Sequence, residues 1–390
     1  MALTIEHEWE ASICTGSVFF DGGKYYALYA TRMQDRNERL EMAVSDDGIR
    51  FRKLIPSPFQ EPAPPYRRGP NRDPFVFGKP GDFHMTVTAS LASPESPDRA
   101  GALEELTSPD LKAWKVQPAP FLVTGYAADP ECSDLFFWRG WYYLLFSEGG
   151  QAHYRMSRNA TGPWNKPTID VFDGVEARVM KTAAFKGDRR IGVAFVPDGG
   201  FGGHLLFREV VQSPDGTLYT TFVSEMTPIE KGPFTPSAWA QKEVSRRVEE
   251  PMELNAPGRG AQASVLVPQD FILKATLSAS AGANVFGFGF NGDSKDASWL
   301  EFAVNQGKVR WMGAPSPAGA LPSIDGVNDL SHPAEVELVA RGTIVDVVIN
   351  GRHTLVHRMP TTVGRNITVF TRSGHLRVTH LGIESIQGSH

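Results

Sequence analysis

The feature that most constrains this chain is a recurrence. Between Ser12 and Tyr219 the same run of short segments comes round repeatedly, about every 50 to 60 residues. The first round has a strand at Ser12 to Phe20, an Asp21-Gly22-Gly23 turn and a strand at Lys24 to Thr31. Glu41 to Val44 follows and runs into Ser45-Asp46-Asp47-Gly48. The second opens at Asp73-Pro74-Phe75-Val76-Phe77, turns at Pro80-Gly81-Asp82 and closes at Ser108-Pro109-Asp110-Leu111-Lys112-Ala113-Trp114. The third is the hairpin Leu135 to Trp138, Arg139-Gly140, Trp141 to Phe146, closed by Tyr154 to Ser157 and Gly162-Pro163-Trp164. A weaker fourth runs from Val179 to Tyr219. Helical periodicity is almost absent. Units of three or four strands at this spacing read as blades of a β-propeller, four of them evident, none able to bury its faces without a neighbour.

That architecture says where chemistry can gather. The innermost strand of a blade begins near the central axis, so residues at those starts share one cavity. Thr15, Asp73 and Glu131 are brought together on this argument. Two starts are acidic: Asn71-Arg72-Asp73-Pro74, and Asp129-Pro130-Glu131-Cys132-Ser133-Asp134 some 58 residues later. A carboxylate at the mouth of an apolar strand is expected to sit partly dry, which raises its pKa and suits it to acid chemistry. Lys181, at the fourth inner start, is a candidate pocket cation. Cys132 reads as a small buried side chain positioning Glu131. Trp138, Trp141 and Trp164 serve blade packing or a ligand-stacking wall equally well.

The second half changes character. Residues 226–262 are rich in proline and charge and read as a linker between a domain at 1–225 and another at 263–390. Beyond the linker, alternation at Asp270 to Ser278, Val285-Phe286-Gly287-Phe288-Gly289-Phe290 and Ala334 to Arg341, with an Asn350-Gly351 turn, points to a β-sandwich. The fold class is therefore all-β, a propeller followed by a sandwich. A net charge of −5 without a basic run argues against nucleic acid. No apolar stretch approaches the roughly 20 residues of a membrane helix. The start Met1 to Glu10 has no basic-then-apolar leader, and the two cysteines, Cys14 and Cys132, make neither a disulfide framework nor a metal spacing. A cytoplasmic protein without metal or cofactor is expected.

Arg72-Asp73-Pro74 and Glu131-Cys132, in that order and separation, resemble the two hallmark motifs of glycoside hydrolase family 32, the sucrose- and fructan-cleaving β-fructosidases. Cys14-Thr15-Gly16-Ser17-Val18, Ser108 to Trp114, Phe207-Arg208-Glu209-Val210 with Asp215-Gly216-Thr217-Leu218-Tyr219, and Phe172-Asp173-Gly174 with Lys181-Thr182 are similar to further signatures of that family. The resemblance covers roughly residues 9–225. It implies Glu131 as general acid/base and Asp73 as the carboxylate that stabilises the transition state through the sugar hydroxyls. Arg72, Asn71, Thr15, Ser17, Cys132 and Lys181 are the implied substrate contacts. Glycoside cleavage needs such a proton donor, with negative charge near an oxocarbenium-like sugar. Arg72, a cation beside Asp73, is expected to keep it ionised.

One departure stands out. The family nucleophile lies in an Asn-Asp-Pro-Asn-Gly type motif, and no such motif occurs here; the resemblance implies a five-bladed propeller, only four blades are evident, and the chain reads as starting one blade late. Asp21 is a hairpin-turn residue rather than a substitute. The expected function is hydrolysis of β-fructosides such as sucrose, inulin or levan by a retaining two-carboxylate mechanism. The alternatives are an inactive glycan-binding relative, or a propeller glycosidase acting on arabinosides or xylosides. The expected partner is a carbohydrate, with an oligomer or a partner chain completing the ring.

Overall fold

In a computed structural model of the chain, the described residues are all except 1, 60–61, 201, 227–229, 234–238, 242–250, 281, 293 and 387–390. They form strands and short turns, with helix only as brief 3-10 turns. The chain divides into two compact units, residues 1–149 with 153–166, and residues 150–152 with 167–390.

The first unit holds three antiparallel sheets, matching the first three repeats. β1 (Glu10–Asp21), β2 (Lys24–Met33), β3 (Glu38–Ser45) and β4 (Arg52–Lys53) form the first in simple order. β5 (Arg72–Lys79), β6 (Asp82–Ser90), β7 (Gly101–Ser108), β8 (Lys115–Val116) and β9 (Leu122–Val123) form the second. β10 (Glu131–Trp138), β11 (Trp141–Glu148) and β12 (Gln151–Ser157) carry the third repeat. Alternation drives the stacking. Tyr26, Leu28, Leu40 and Met42 of the first sheet pack against Val76, Phe83, Met85 and Trp114 of the second. Leu103 and Phe121 of the second pack against Leu144, Leu135 and Trp164 of the third. β5 therefore runs beside both β1 and β10.

The closing turns repeat one device. Asp47 Oδ1 accepts the N–H groups of Ile49 and Arg50, both at 2.8 Å, and Asp110 Oδ1 accepts those of Lys112 and Ala113 at 2.9 and 3.0 Å. These bonds pull the Asp47 carboxyl down to about 2.

In the second unit the fourth repeat is a meander of β13 (Arg178–Phe185), β14 (Arg189–Pro197), β15 (Gly203–Gln212) and β16 (Leu218–Thr221). The rest is a sandwich of two sheets, each seven-stranded among the described residues. Its core joins Phe271, Leu273 and Leu277 to Phe286, Phe288, Phe302 and Trp311. The stretch expected as a linker contributes strands to it. Met252–Ala256 pairs with Gly374–Ile386, and Ala261–Leu266 pairs with Asn366–Thr371. Met252, Leu254 and Ala256 are buried while Glu253 and Asn255 are exposed, so the alternation outweighs the polar composition. Residues 227–229, 234–238 and 242–250 of that stretch lie outside the described residues.

Candidate active site

The inner strands all break register at the same place. β1 shifts between Ile13 and Gly16, β5 between Arg72 and Phe75, β10 between Glu131 and Asp134, and β13 between Arg178 and Lys181. In three of them the residue after the break takes a left-handed backbone: Asp73 at φ 56°, Cys132 at φ 53° and Val179 at φ 55°. A β-bulge adds a residue and re-aims its neighbours, and non-glycine residues rarely adopt that conformation without cause. Arg72 and Glu131 therefore hold equivalent positions in neighbouring sheets, and Asp73 is equivalent to Cys132.

The bulges interlock. Asp73 Oδ2 accepts the Cys132 N–H at 2.9 Å and the Thr88 hydroxyl at 3.4 Å, and Thr88 also donates to the Pro130 carbonyl at 2.6 Å. Arg72 reaches across the same seam. One guanidinium arm, Nη1, donates to Glu38 Oε2 at 3.0 Å; the other, Nη2, donates to Glu131 Oε1 at 3.0 Å and lies 3.5 Å from Asp129. Its Nε stands 3.8 Å from Asp73 Oδ2. An open cavity of about 470 Å³ adjoins this group, lined by Arg32, Arg36, Glu38, Gly69, Pro70, Arg72 and Asp129.

Residues 1–171 match the family model described as "Glycosyl hydrolases family 32 N-terminal domain". Over that span the chain is similar to glycosyl hydrolase family 32. No curated protein matches the sequence. Fructan 1-exohydrolase IIa from Cichorium intybus superimposes with a TM-score of 0.72 at 15% identity, covering 100% of this chain and 86% of that one. Sucrose-6-phosphate hydrolase from Lactobacillus gasseri gives 0.62 at 17%, covering 99% and 81%. The Bombyx mori GH32 β-fructofuranosidase BmSUC1 gives 0.62 at 15%, covering 98% and 80%. At these identities the likeness is one of fold, an all-β propeller with a sandwich.

Within the matched span, the structure brings Arg72, Asp73, Glu131 and Cys132 into one cluster. Asn71 is buried beside them, 3% exposed, and its Oδ1 has no hydrogen-bond partner among the described residues. Thr15 and Ser17 behave differently. Thr15 is exposed on β1, and no described hydrogen bond joins it to Asp73 or Glu131. Ser17 Oγ takes the Val76 N–H at 3.3 Å, a seam between the first two sheets. Lys181 is half-buried on β13 of the second unit. The tryptophan wall does not form at the site: Trp138 and Trp141 pair at the far end of the β10–β11 hairpin from Glu131, and Trp164 packs on Phe121.

Two electrostatic expectations need correcting. Glu131 is not in a dry place; its side chain is 40% exposed and bonded to Arg72. Asp73 is the desolvated carboxylate, 5% exposed, and burial raises its pKa although the Cys132 N–H and Arg72 pull the other way. Arg72 shows the opposite balance. Burial works against its charge, but Glu38, then Glu131 and Asp73, hold it protonated beyond the ordinary arginine range. Cys132 positions Asp73, through its backbone N–H, rather than Glu131.

Sequence reasoning missed Glu38 and passed over Asp129 as a site residue. Asp129 stood in the acidic cluster but was given no role; its Oδ1 accepts the Ser90 hydroxyl, and Arg67 lies 3.7 Å away. Glu38 opposes Arg32 across the β2–β3 hairpin and accepts its guanidinium at 2.9 Å. An Arg and a Glu closing a hairpin read as a surface pair. Only the packing of β5 against β3 turns Glu38 toward Arg72.

Proposed function

We propose that this domain binds and hydrolyses β-fructosides such as sucrose, inulin or levan, with Glu131 as acid/base and Asp73 as the carboxylate that stabilises the developing charge. The observation that carries the reading is that the two carboxylates share Arg72 although 58 residues separate them in sequence. Glu131, partly open to solvent, can give a proton to a leaving oxygen and recover one from water. Asp73, fixed by the Cys132 N–H, offers an oriented acceptor to sugar hydroxyls and negative charge to an oxocarbenium-like sugar. Fixed groups of this kind require no reorganisation when charge develops. Arg72 lies between the two, 3.0 Å from Glu131 and 3.8 Å from Asp73.

Retention would also require a nucleophilic carboxylate about 5–5.5 Å from the acid. The sequence has no Asn-Asp-Pro-Asn-Gly motif, which favours a second reading: sugar binding without turnover. Assay of the purified chain on sucrose, inulin and levan, with calorimetric titration in parallel, separates the two. Turnover supports hydrolysis, binding alone supports the second reading, and the absence of both overturns the assignment of the site.

A further inference from the structure

The cluster contains a carboxylate without a chemical task. Glu38 is 9% exposed, on the first sheet, and neither of its oxygens is spare: Oε1 takes Arg32 at 2.9 Å and Oε2 takes Arg72 at 3.0 Å. Arg72 belongs to the second sheet and Glu131 to the third. The three side chains therefore form a chain across three blades, Glu38 to Arg72 Nη1 and Arg72 Nη2 to Glu131. A guanidinium is a rigid planar fork, so fixing one arm fixes the direction of the other.

The Arg72 stem alone does not set that direction. Asp129 lies 3.5 Å from the same Nη2 that serves Glu131, so a competing acceptor is within reach. Asp73 offers a further one at 3.8 Å from Nε. Holding Nη1 on Glu38 selects one orientation among these. Arg32 in turn holds Glu38, directly opposite it in the hairpin register, and both line the cavity.

We propose that Glu38 is a positioning residue of the site: it fixes the arginine fork so that Arg72 presents Nη2 to Glu131 and keeps the acid/base carboxylate in place. The proposal rests on the fructosidase reading for its effect on turnover, but its geometric part stands apart from it. Glu38 touches neither acid chemistry nor sugar directly; it acts through Arg72. Groups that must be held to within fractions of an ångström lose about 10²-fold in rate when misplaced by about 1 Å, so the loss on removing Glu38 is expected at about 10- to 100-fold.

The test uses Glu38→Gln, which keeps size and one acceptor oxygen, and Glu38→Asp, which keeps the charge on a shorter stem. Crystal structures of the wild type and Glu38→Gln read the geometry. The Arg72 Nη2 to Glu131 bond is expected in the first and lost or transferred to Asp129 in the second. Kinetics on a fructoside read the consequence: a fall in kcat of about 10- to 100-fold for Glu38→Gln with KM little changed, and partial recovery in Glu38→Asp. An unmoved Arg72 fork in Glu38→Gln overturns the proposal whatever the activity. A moved fork with unchanged kcat overturns it too, leaving Glu38 a purely structural residue. A wild type without turnover defeats the fructosidase reading, and the crystal structures then still decide whether Glu38 orients Arg72. If Glu38→Gln fails to fold, Arg32→Gln supplies the second route: it frees Glu38 Oε1 from its partner and is expected to loosen the same fork, with no change in fork or kcat counting against the proposal.

Discussion

Asp73 accepts the backbone N–H of Cys132 at 2.9 Å, and that single bond ties the bulge of one sheet to the bulge of the next. Both residues sit in the left-handed region, at φ 56° and φ 53°, so each strained position is braced by the other. The carboxylate is thereby oriented before any sugar arrives.

Asp73→Asn tests what that orientation is for. The amide oxygen can still take the Cys132 N–H, so the fold should survive, while the charge offered to sugar hydroxyls disappears. Hydrogen bonds to charged groups contribute about 1.5–3 kcal/mol, so affinity for a fructose-containing sugar should weaken about 10- to 100-fold. Calorimetric titration of the two proteins checks this; equal affinity would remove Asp73 from the binding site.

The same substitution carries a pH signature. Burial raises the Asp73 pKa above its ordinary 3.8, so the folded state holds the proton more tightly than the unfolded chain. The contribution to stability is present at low pH and is lost as pH rises through the folded value. Asp73→Asn should therefore gain stability relative to the wild type on going from acid to neutral pH. Melting temperatures followed across that range should diverge, and parallel curves would show that Asp73 is not desolvated.

Glu104 gives a larger effect away from the site. It is 3% exposed on β7, its Oε1 has no hydrogen-bond partner among the described residues, and burial pushes its pKa from 4.5 to about 7. That rise corresponds to roughly 3 kcal/mol at most. The sign again follows a raised acid: the stabilising contribution is full below 4.5 and is lost as pH passes 7. Glu104→Gln should match the wild type in acid and exceed it above neutrality, as read by denaturant unfolding. A Gln variant that is less stable than the wild type at alkaline pH would refute the buried-charge account.

In the second unit, Arg208 is 1% exposed and bonds Asp173 at 2.8 Å and Asp346 at 2.6 Å. Removing one partner of a buried pair strands the others, at a cost of about 3–5 kcal/mol. Arg208→Ala should lose stability of that order, and restoring neutrality with Asp173→Asn and Asp346→Asn should recover part of it. Additive losses in the triple variant would contradict the pairing.

The repeats, the sandwich and the Arg72–Asp73–Glu131 group were legible in the sequence because each rests on local pattern: alternation, Gly-rich turns and charged strand starts. The bulges were not. They appear only when a strand is paired, as between Arg72 and Phe75 opposite Thr88 and Thr86, and they decide which side chain faces the seam. Glu38 escaped because its role comes from packing between sheets, whereas Met252–Ala256 was readable as a strand from its own alternation and was masked by surrounding proline and charge. The Glu131 environment was misjudged because an aromatic strand buries its own side chains without drying its first residue.

The measurement that tests the central claim most directly is kcat/KM on a β-fructoside for the wild type and Glu131→Gln, with sugar binding measured on both. General acid/base catalysis contributes typically 10²–10⁴-fold. The account predicts a loss of about that size with affinity for the sugar retained, since Gln keeps an acceptor for Arg72. Equal turnover by the two proteins would contradict it.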